Sequence, residues 1–161
     1  MKLVVVGATG AVGSEILRIL EQRDIDAEVV AVASARSVGR KLDFRNGTLE
    51  VRELGPDAFA SGDLALFDVP DDVSAEWAPR AVERGAVVVD NSAAFRMDPQ
   101  VPLVVPEVNP QDIERCPKGI IASPNCTTLA VVVPAAALHR AAGLNRLVLA
   151  SYQAASGAGK P

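Results

Sequence analysis

Apolar positions along the chain fall into short unbroken runs, separated by polar, glycine-rich or charged stretches. Residues 3–6, 29–33, 64–67, 86–89, 120–122 and 147–150 are such runs. None alternates apolar with polar, so each predicts a strand buried on both faces, as in a parallel sheet covered by helices. Residues 14–22 follow a different period: Ile16, Leu17, Ile19 and Leu20 share one helical stripe, with Glu15, Arg18 and Glu21 outside it. Asp24 and Asp26 end that pattern. A second helix is predicted over residues 74–84, with Pro79 as a kink or restart and Gly85 as the C-terminal stop. A third is predicted over residues 127–142. The polar, basic stretch 34–46 predicts a loop, and the weak alternation over 48–53 an edge strand. Between Asp90 and Pro117 stand Pro99, Pro102, Pro106 and Pro110, which together with Pro117 forbid a long helix.

Strands alternating with helices in this order predict an α/β fold on a doubly wound, Rossmann-type, mostly parallel sheet. The chain has 161 residues, enough for one domain or for one domain and the start of another. Its composition, 49% hydrophobic and 22% charged, is that of a globular protein able to form a core without disulfides. Lys and Arg number 16 against 20 Asp and Glu, and a net charge of −4 argues against a nucleic-acid partner. No apolar run approaches the roughly 18–20 residues that cross a bilayer, and the longest candidate, 129–138, is interrupted by Pro134. Met1-Lys2 leads straight into a strand without the layout of a signal peptide. Two cysteines, Cys116 and Cys126, fit a reducing compartment. A cytoplasmic protein with no membrane partner and no metal site is the expectation.

Chemistry is first suggested by Gly7-Ala8-Thr9-Gly10-Ala11-Val12-Gly13, set between a buried strand and an amphipathic helix. Glycines there permit a tight turn and close approach to a pyrophosphate, and the helix N-terminus offers free N–H groups and a favourable dipole. The spacing is G-x-x-G-x-x-G rather than G-x-G-x-x-G, and a βα turn without ligand is the alternative. At the end of the second strand, Ser34, Arg36 and Ser37 stand where an acid would bond the ribose of NAD, with Arg40 and Lys41 close behind. A guanidinium and hydroxyls suit a 2′-phosphate, so NADP is the expected cofactor; a solvated basic loop is the alternative.

Cys126 follows a strand and Pro124 and opens the third helix. Free N–H groups and the dipole at a helix start favour a thiolate, which makes Cys126 the candidate nucleophile. A small core cysteine is the alternative; it fits Cys116 better, because Asn125, Thr127 and Thr128 around Cys126 are polar. His139, the one histidine, lies thirteen residues on, roughly 20 Å along a helix. It is expected to be structural or at the surface, so that a general base is not a histidine of this chain. By composition alone, Arg96 is a surface charge.

These residues recur together in one family. The glycine loop, Ser34-Ala35-Arg36-Ser37, Asp90-Asn91-Ser92-Ala93-Ala94-Phe95-Arg96, Pro102-Leu103-Val104-Val105-Pro106-Glu107-Val108-Asn109, Pro124-Asn125-Cys126-Thr127-Thr128 and Gln153-Ala154-Ala155-Ser156-Gly157 closely resemble aspartate-semialdehyde dehydrogenase, in the family's order and over nearly the whole chain. The resemblance implies reversible, NADPH-dependent reduction of L-aspartyl 4-phosphate to aspartate 4-semialdehyde and phosphate. That step feeds lysine, threonine, methionine and diaminopimelate synthesis. By position, Cys126 would form the thioacyl enzyme, Gln153 would orient substrate and thiol, and Arg96 and Asn125 would contact phosphate. Gly7, Thr9, Gly10, Ala11, Val12 and Gly13, with Ser34, Arg36 and Ser37, would hold NADP(H), and Ser156 and Gly157 would lie near the nicotinamide.

Asp68-Val69-Pro70-Asp71-Asp72 departs from the family's Ser-Ala-Gly-Gly type of loop, which bears on how NADP is held; Ala93 and Ser123 are smaller departures. The resemblance implies an NADP-binding domain over 1–124 and, over 125–161, the beginning of a truncated α+β catalytic and dimerisation domain. The chain ends on Gly157-Ala158-Gly159-Lys160-Pro161, a turn signal with no element after it. It is therefore expected to be an N-terminal portion with little catalysis of its own, homodimeric in the full-length form. The general base is expected beyond it. Rival readings are an N-acetyl-gamma-glutamyl-phosphate reductase, against which residues 92–97 and 102–109 speak, and a non-catalytic dinucleotide-binding module.

Overall fold

The computed structural model describes residues 1–23 and 25–154. In chain order the strands are β1 (Lys2–Val6), β2 (Glu28–Ala33), β3 (Lys41–Phe44), β4 (Gly47–Glu50), β5 (Arg52–Glu53), β6 (Leu64–Phe67), β7 (Val87–Asp90) and β8 (Ile120–Ala122). The helices are α1 (Ala11–Gln22), α2 (Asp71–Glu83) and α3 (Cys126–Ala142). Six strands form one sheet in the order β5-β2-β1-β6-β7-β8, and every neighbouring pair in it runs parallel.

The unbroken apolar runs are explained by burial on two sides. Val4, Val6, Val30, Val32, Ala65, Phe67 and Val88 pack on one face with Ala78 and Ala81 of α2. Leu3, Val5, Val29, Ala31 and Ala33 pack on the other with Leu17 and Leu20 of α1. Because successive side chains of a strand point to opposite faces, a strand covered on both sides must be apolar at every position. Each buried Leu or Phe of this kind contributes about 1.5–3 kcal/mol. Helices on both faces make the sheet doubly wound. Consecutive crossovers leave β1 toward β2 on one side and reach β6 on the other, so the sheet's switch point lies between β1 and β6.

Four expectations change. The stretch 34–46 is not one loop: Ala35–Ser37 forms a 3₁₀ turn, and β3 pairs antiparallel with β4 as a separate hairpin. Charges at Lys41 and Asp43 mask its alternation, while Leu42 and Leu49 sit opposite one another and Phe44 is buried. The segment 48–53 is two strands, divided at the buried Val51; only β5 lies at the edge of the main sheet. Residues 147–150 form no strand. A strand's N–H and C=O groups need a neighbour's, and none pairs with this segment among the described residues; Val148 is 81% exposed. Helix α2 also begins earlier than expected, at Asp71, and Pro79 stands inside it without breaking it. Among the described residues no helix is long and apolar enough to cross a membrane.

Candidate active site

The C-terminal ends of β1, β2, β6, β7 and β8 gather the residues singled out above. At the end of β1 the chain turns through Gly7, whose φ of +91° is in the left-handed region. A Cβ there would lie 2.0 Å from the Asp68 carbonyl oxygen, and one on Gly13 would lie 2.1 Å from that of Gly7. Both glycines are thus demanded by the backbone itself: the first brings the β1 turn against the end of β6, the second seats α1 on the loop. Gly10 is different. Its nearest obstacle is the Gly7 oxygen at 3.2 Å, and it is the N-cap of α1.

No side chain caps α1 and no acid occupies its first turn, while Gly10, Ala11 and Val12 are exposed. Helix N–H groups left open in this way, beside the sheet's switch point, suit a pyrophosphate. Thr9 Oγ1 lies 3.3 Å from Ser37 Oγ, which joins the glycine loop to the turn after β2. Ser34 is the N-cap of that turn and Arg36 its basic residue; both are exposed, and Arg36 is in no ion pair among the described residues. Open helix N–H groups, hydroxyls and a guanidinium together form a set of donors that a nicotinamide dinucleotide fits.

The second cluster surrounds Cys126, the first residue of α3, which is exposed. Asn125 caps the helix: its Oδ1 accepts from Thr127 N at 2.9 Å and from Thr128 N at 3.4 Å. With the carbonyl so engaged, the donor amide of Asn125 is the end left for a ligand. Gln153 Nε2 donates toward Cys126 Sγ at 3.4 Å. Arg96 Nε donates to the Ser123 carbonyl and its Nη2 to the Asn91 carbonyl, each at 2.8 Å. The guanidinium is thereby fixed at the ends of β7 and β8, three residues upstream of Cys126 through Ser123, and no carboxylate neutralises it among the described residues.

Cys116 is a different thiol. It is half-buried, its Sγ donates to the Ile120 carbonyl at 3.2 Å, and burial pushes its titration upward. His139 is exposed in the last turn of α3, where its Nδ1 accepts the Leu144 N–H, so it stands at the opposite end of the helix from Cys126. Ser156 and Gly157 lie outside the described residues. Asp90 is fully buried, and neither it nor Asp68 or Asp71 carries a sequence signal of a site role beyond the departure at 68–72. Their partners, Asn91 to Ala93, are adjacent in space but distant along the chain from Asp68 and Asp71, and no local pattern announces them.

Residues 2–116 match the family described as semialdehyde dehydrogenase, NAD binding domain. Aspartate-semialdehyde dehydrogenase of Bacillus subtilis (strain 168) is 46% identical over 160 residues, which is 99% of this chain and 46% of that protein. The enzyme of Aquifex aeolicus is 47% identical over 98% of this chain and 47% of its own length. Among solved structures, aspartate semialdehyde dehydrogenase II of Vibrio cholerae, complexed with ASA, superposes with a TM-score of 0.91 at 39% identity, covering 99% of this chain and 48% of that one. The Candida albicans enzyme with NADP superposes at 0.72 with 30% identity, covering 89% and 48%. The chain spans about half the length of the curated relatives it matches.

Proposed function

The chain belongs to the semialdehyde dehydrogenase family, of which it carries the NAD-binding domain, and from that premise we propose that it serves the NADPH-dependent reduction of L-aspartyl 4-phosphate to aspartate 4-semialdehyde. The observation that carries the proposal is Cys126, exposed at the start of α3 with a side-chain amide on its sulfur. The reading also draws on its relatives, one of which was solved with ASA and another with NADP.

In this reading the open first turn of α1, with Thr9 and Gly10, receives the pyrophosphate. Ser34, Arg36 and Ser37 receive a 2′-phosphate, which makes NADP the preferred form. The nicotinamide, when bound, supplies a hydride. Ser156 and Gly157 are assigned to its surroundings by the resemblance alone.

The protein's own contribution begins with the sulfur. Cys126 as thiolate attacks the acyl carbon of the aspartyl phosphate, the C–O bond to phosphate breaks, and inorganic phosphate leaves with the bonding pair. The acyl group is then held as a thioester, and its reduction returns the sulfur as thiolate and frees the aldehyde. Splitting the displacement in this way replaces one difficult step by two easier ones. Arg96 and the Asn125 amide bind the phosphoryl oxygens as charge collects on them, and Gln153 holds the sulfur and the substrate in register. The two parts of the site correspond to a nucleotide domain over 1–124 and the first piece of a catalytic and dimerisation domain over 125–161. The substrate, a homodimer, a cytoplasmic location and a general base elsewhere in the full-length protein belong to the same proposal.

The test is stoichiometric. Incubation of the full-length protein with L-aspartyl 4-phosphate should yield one aspartyl adduct on Cys126 by mass spectrometry, with one phosphate released and none in Cys126→Ala. An unmodified Cys126 in the folded full-length protein overturns the assignment.

A further inference from the structure

Three consecutive residues of the loop that carries Arg96 are each held by a different carboxylate. Asn91 Nδ2 donates to Asp68 Oδ1 at 2.9 Å. Ser92 donates to Asp90 twice, from N to Oδ1 at 3.2 Å and from Oγ to Oδ2 at 2.6 Å. Ala93 N donates to Asp71 Oδ1 at 2.7 Å. The acids arrive from three places: the chain just past β6, the last residue of β7 and the first turn of α2. Arg96 then closes the loop on the Asn91 carbonyl and extends to that of Ser123.

The bond from Ala93 to Asp71 is not a by-product of helix capping. Asp71 and Asp72 share the first turn of α2, where either charge suits the dipole. Only Asp71 reaches the loop among the described residues. An ionised acceptor makes such a bond shorter and stronger than a neutral one, so it adds a restraint midway along a segment otherwise tethered at Asn91 and Ser92 and, through Arg96, on the Ser123 carbonyl. Asp68 has a second border, since its Oδ2 lies 4.0 Å from where a Gly10 Cβ would stand. Substituting it would disturb the glycine loop as well, which leaves Asp71 as the cleaner probe.

We propose that Asp71 is a positioning residue for the anion site: it braces residues 91–96 from α2 so that Arg96 is held ready for a phosphoryl group, and it does so without touching substrate. This rests on the reading of Arg96 and Asn125 as phosphate ligands beside Cys126. The free edge of the guanidinium has no protein acceptor among the described residues, so its direction is set by the Ser123 and Asn91 carbonyls it bonds and by the loop that the carboxylates hold.

The experiment measures the rate at which iodoacetamide alkylates Cys126 in the 161-residue chain as inorganic phosphate is raised. Phosphate should slow the wild-type reaction with a definite half-effect concentration. In Asp71→Ala that concentration should rise about tenfold, while Asp71→Asn, whose Oδ1 still accepts from Ala93 N, should stay within about threefold of wild type. Asp72→Ala, which loses the same helix charge, should leave the phosphate dependence unchanged. Where Asp71→Ala does not fold, Asp71→Ser, which suits a helix start, carries the same expectation. An unchanged phosphate dependence in Asp71→Ala, or an equal shift in Asp72→Ala, overturns the bracing role while Arg96→Ala still abolishes protection. Absence of protection in wild type, or protection that survives Arg96→Ala, overturns instead the phosphate reading beneath it.

Discussion

Gln153 Nε2 lies 3.4 Å from Cys126 Sγ, although the two residues are separated by the whole of α3 and the segment after it. An amide N–H can stabilise a sulfur anion, the form that reacts, and this one is delivered from outside the helix that carries the thiol. Replacing Gln153 by Ala should therefore slow alkylation of Cys126 by roughly fivefold, the equivalent of ~1 kcal/mol for one modest hydrogen bond. Peptide mapping after timed exposure to iodoacetamide would measure it, and an unchanged rate would remove Gln153 from the site.

The two thiols should separate cleanly in the same assay. Cys126 is exposed, whereas burial holds Cys116 in its protonated form above the ordinary thiol range. Near neutral pH the first adduct should fall on Cys126, with Cys116 following only as the pH rises or the fold opens.

The glycine loop carries a graded expectation. Gly13→Ala forces a Cβ into the Gly7 carbonyl at 2.1 Å and should cost about 3 kcal/mol, the upper end of overpacking penalties. Gly10→Ala meets its nearest atom at 3.2 Å and should cost about 1 kcal/mol. Urea unfolding compares the two, and equal losses would contradict the geometry.

Cofactor preference should rest on Arg36. Its removal by Arg36→Ala is expected to weaken NADP about tenfold and leave NAD within about twofold, since only the former carries the extra phosphate. Fluorescence or calorimetric titration of both nucleotides decides the matter; equal losses would place the guanidinium elsewhere.

Ser74→Ala should unsettle the sheet's own buried carboxyl group. Ser74 Oγ donates to Asp90 Oδ1 at 2.7 Å, and both residues are fully buried. Without the hydroxyl, that carboxylate oxygen keeps only the Ser92 N–H. A loss of about 1–3 kcal/mol in unfolding free energy is expected.

Acid should weaken the segment before β8 through Asp98. The Lys118 ammonium, bonded to Oδ2, and the Gln100 N–H hold its carboxyl below the usual range. A carboxyl depressed in the folded state adds stability above its unfolded pKa, and that increment is lost as pH falls through the lower, folded value. Asp98→Asn should flatten the corresponding part of the acid limb in a melting-temperature profile against pH.

Local patterns in the sequence determined the parallel sheet, the helix after the glycine loop, and the position of Cys126 at a helix start. Those features depend on which faces are buried and on a few adjacent residues, so periodicity exposes them. Only the tertiary structure decided that 41–50 pairs with itself as a hairpin, that 147–150 finds no partner among the described residues, and that Asp68, Asp71 and Asp90 converge on one loop. The same holds for Gly7 and Gly13, whose absent side chains answer to carbonyls of Asp68 and of Gly7 itself, and for Gln153 beside the thiol. Strand pairing and hydrogen bonds of this kind join groups distant along the chain, and their energy exists only once the sheet has brought the ends of β1, β6, β7 and β8 together.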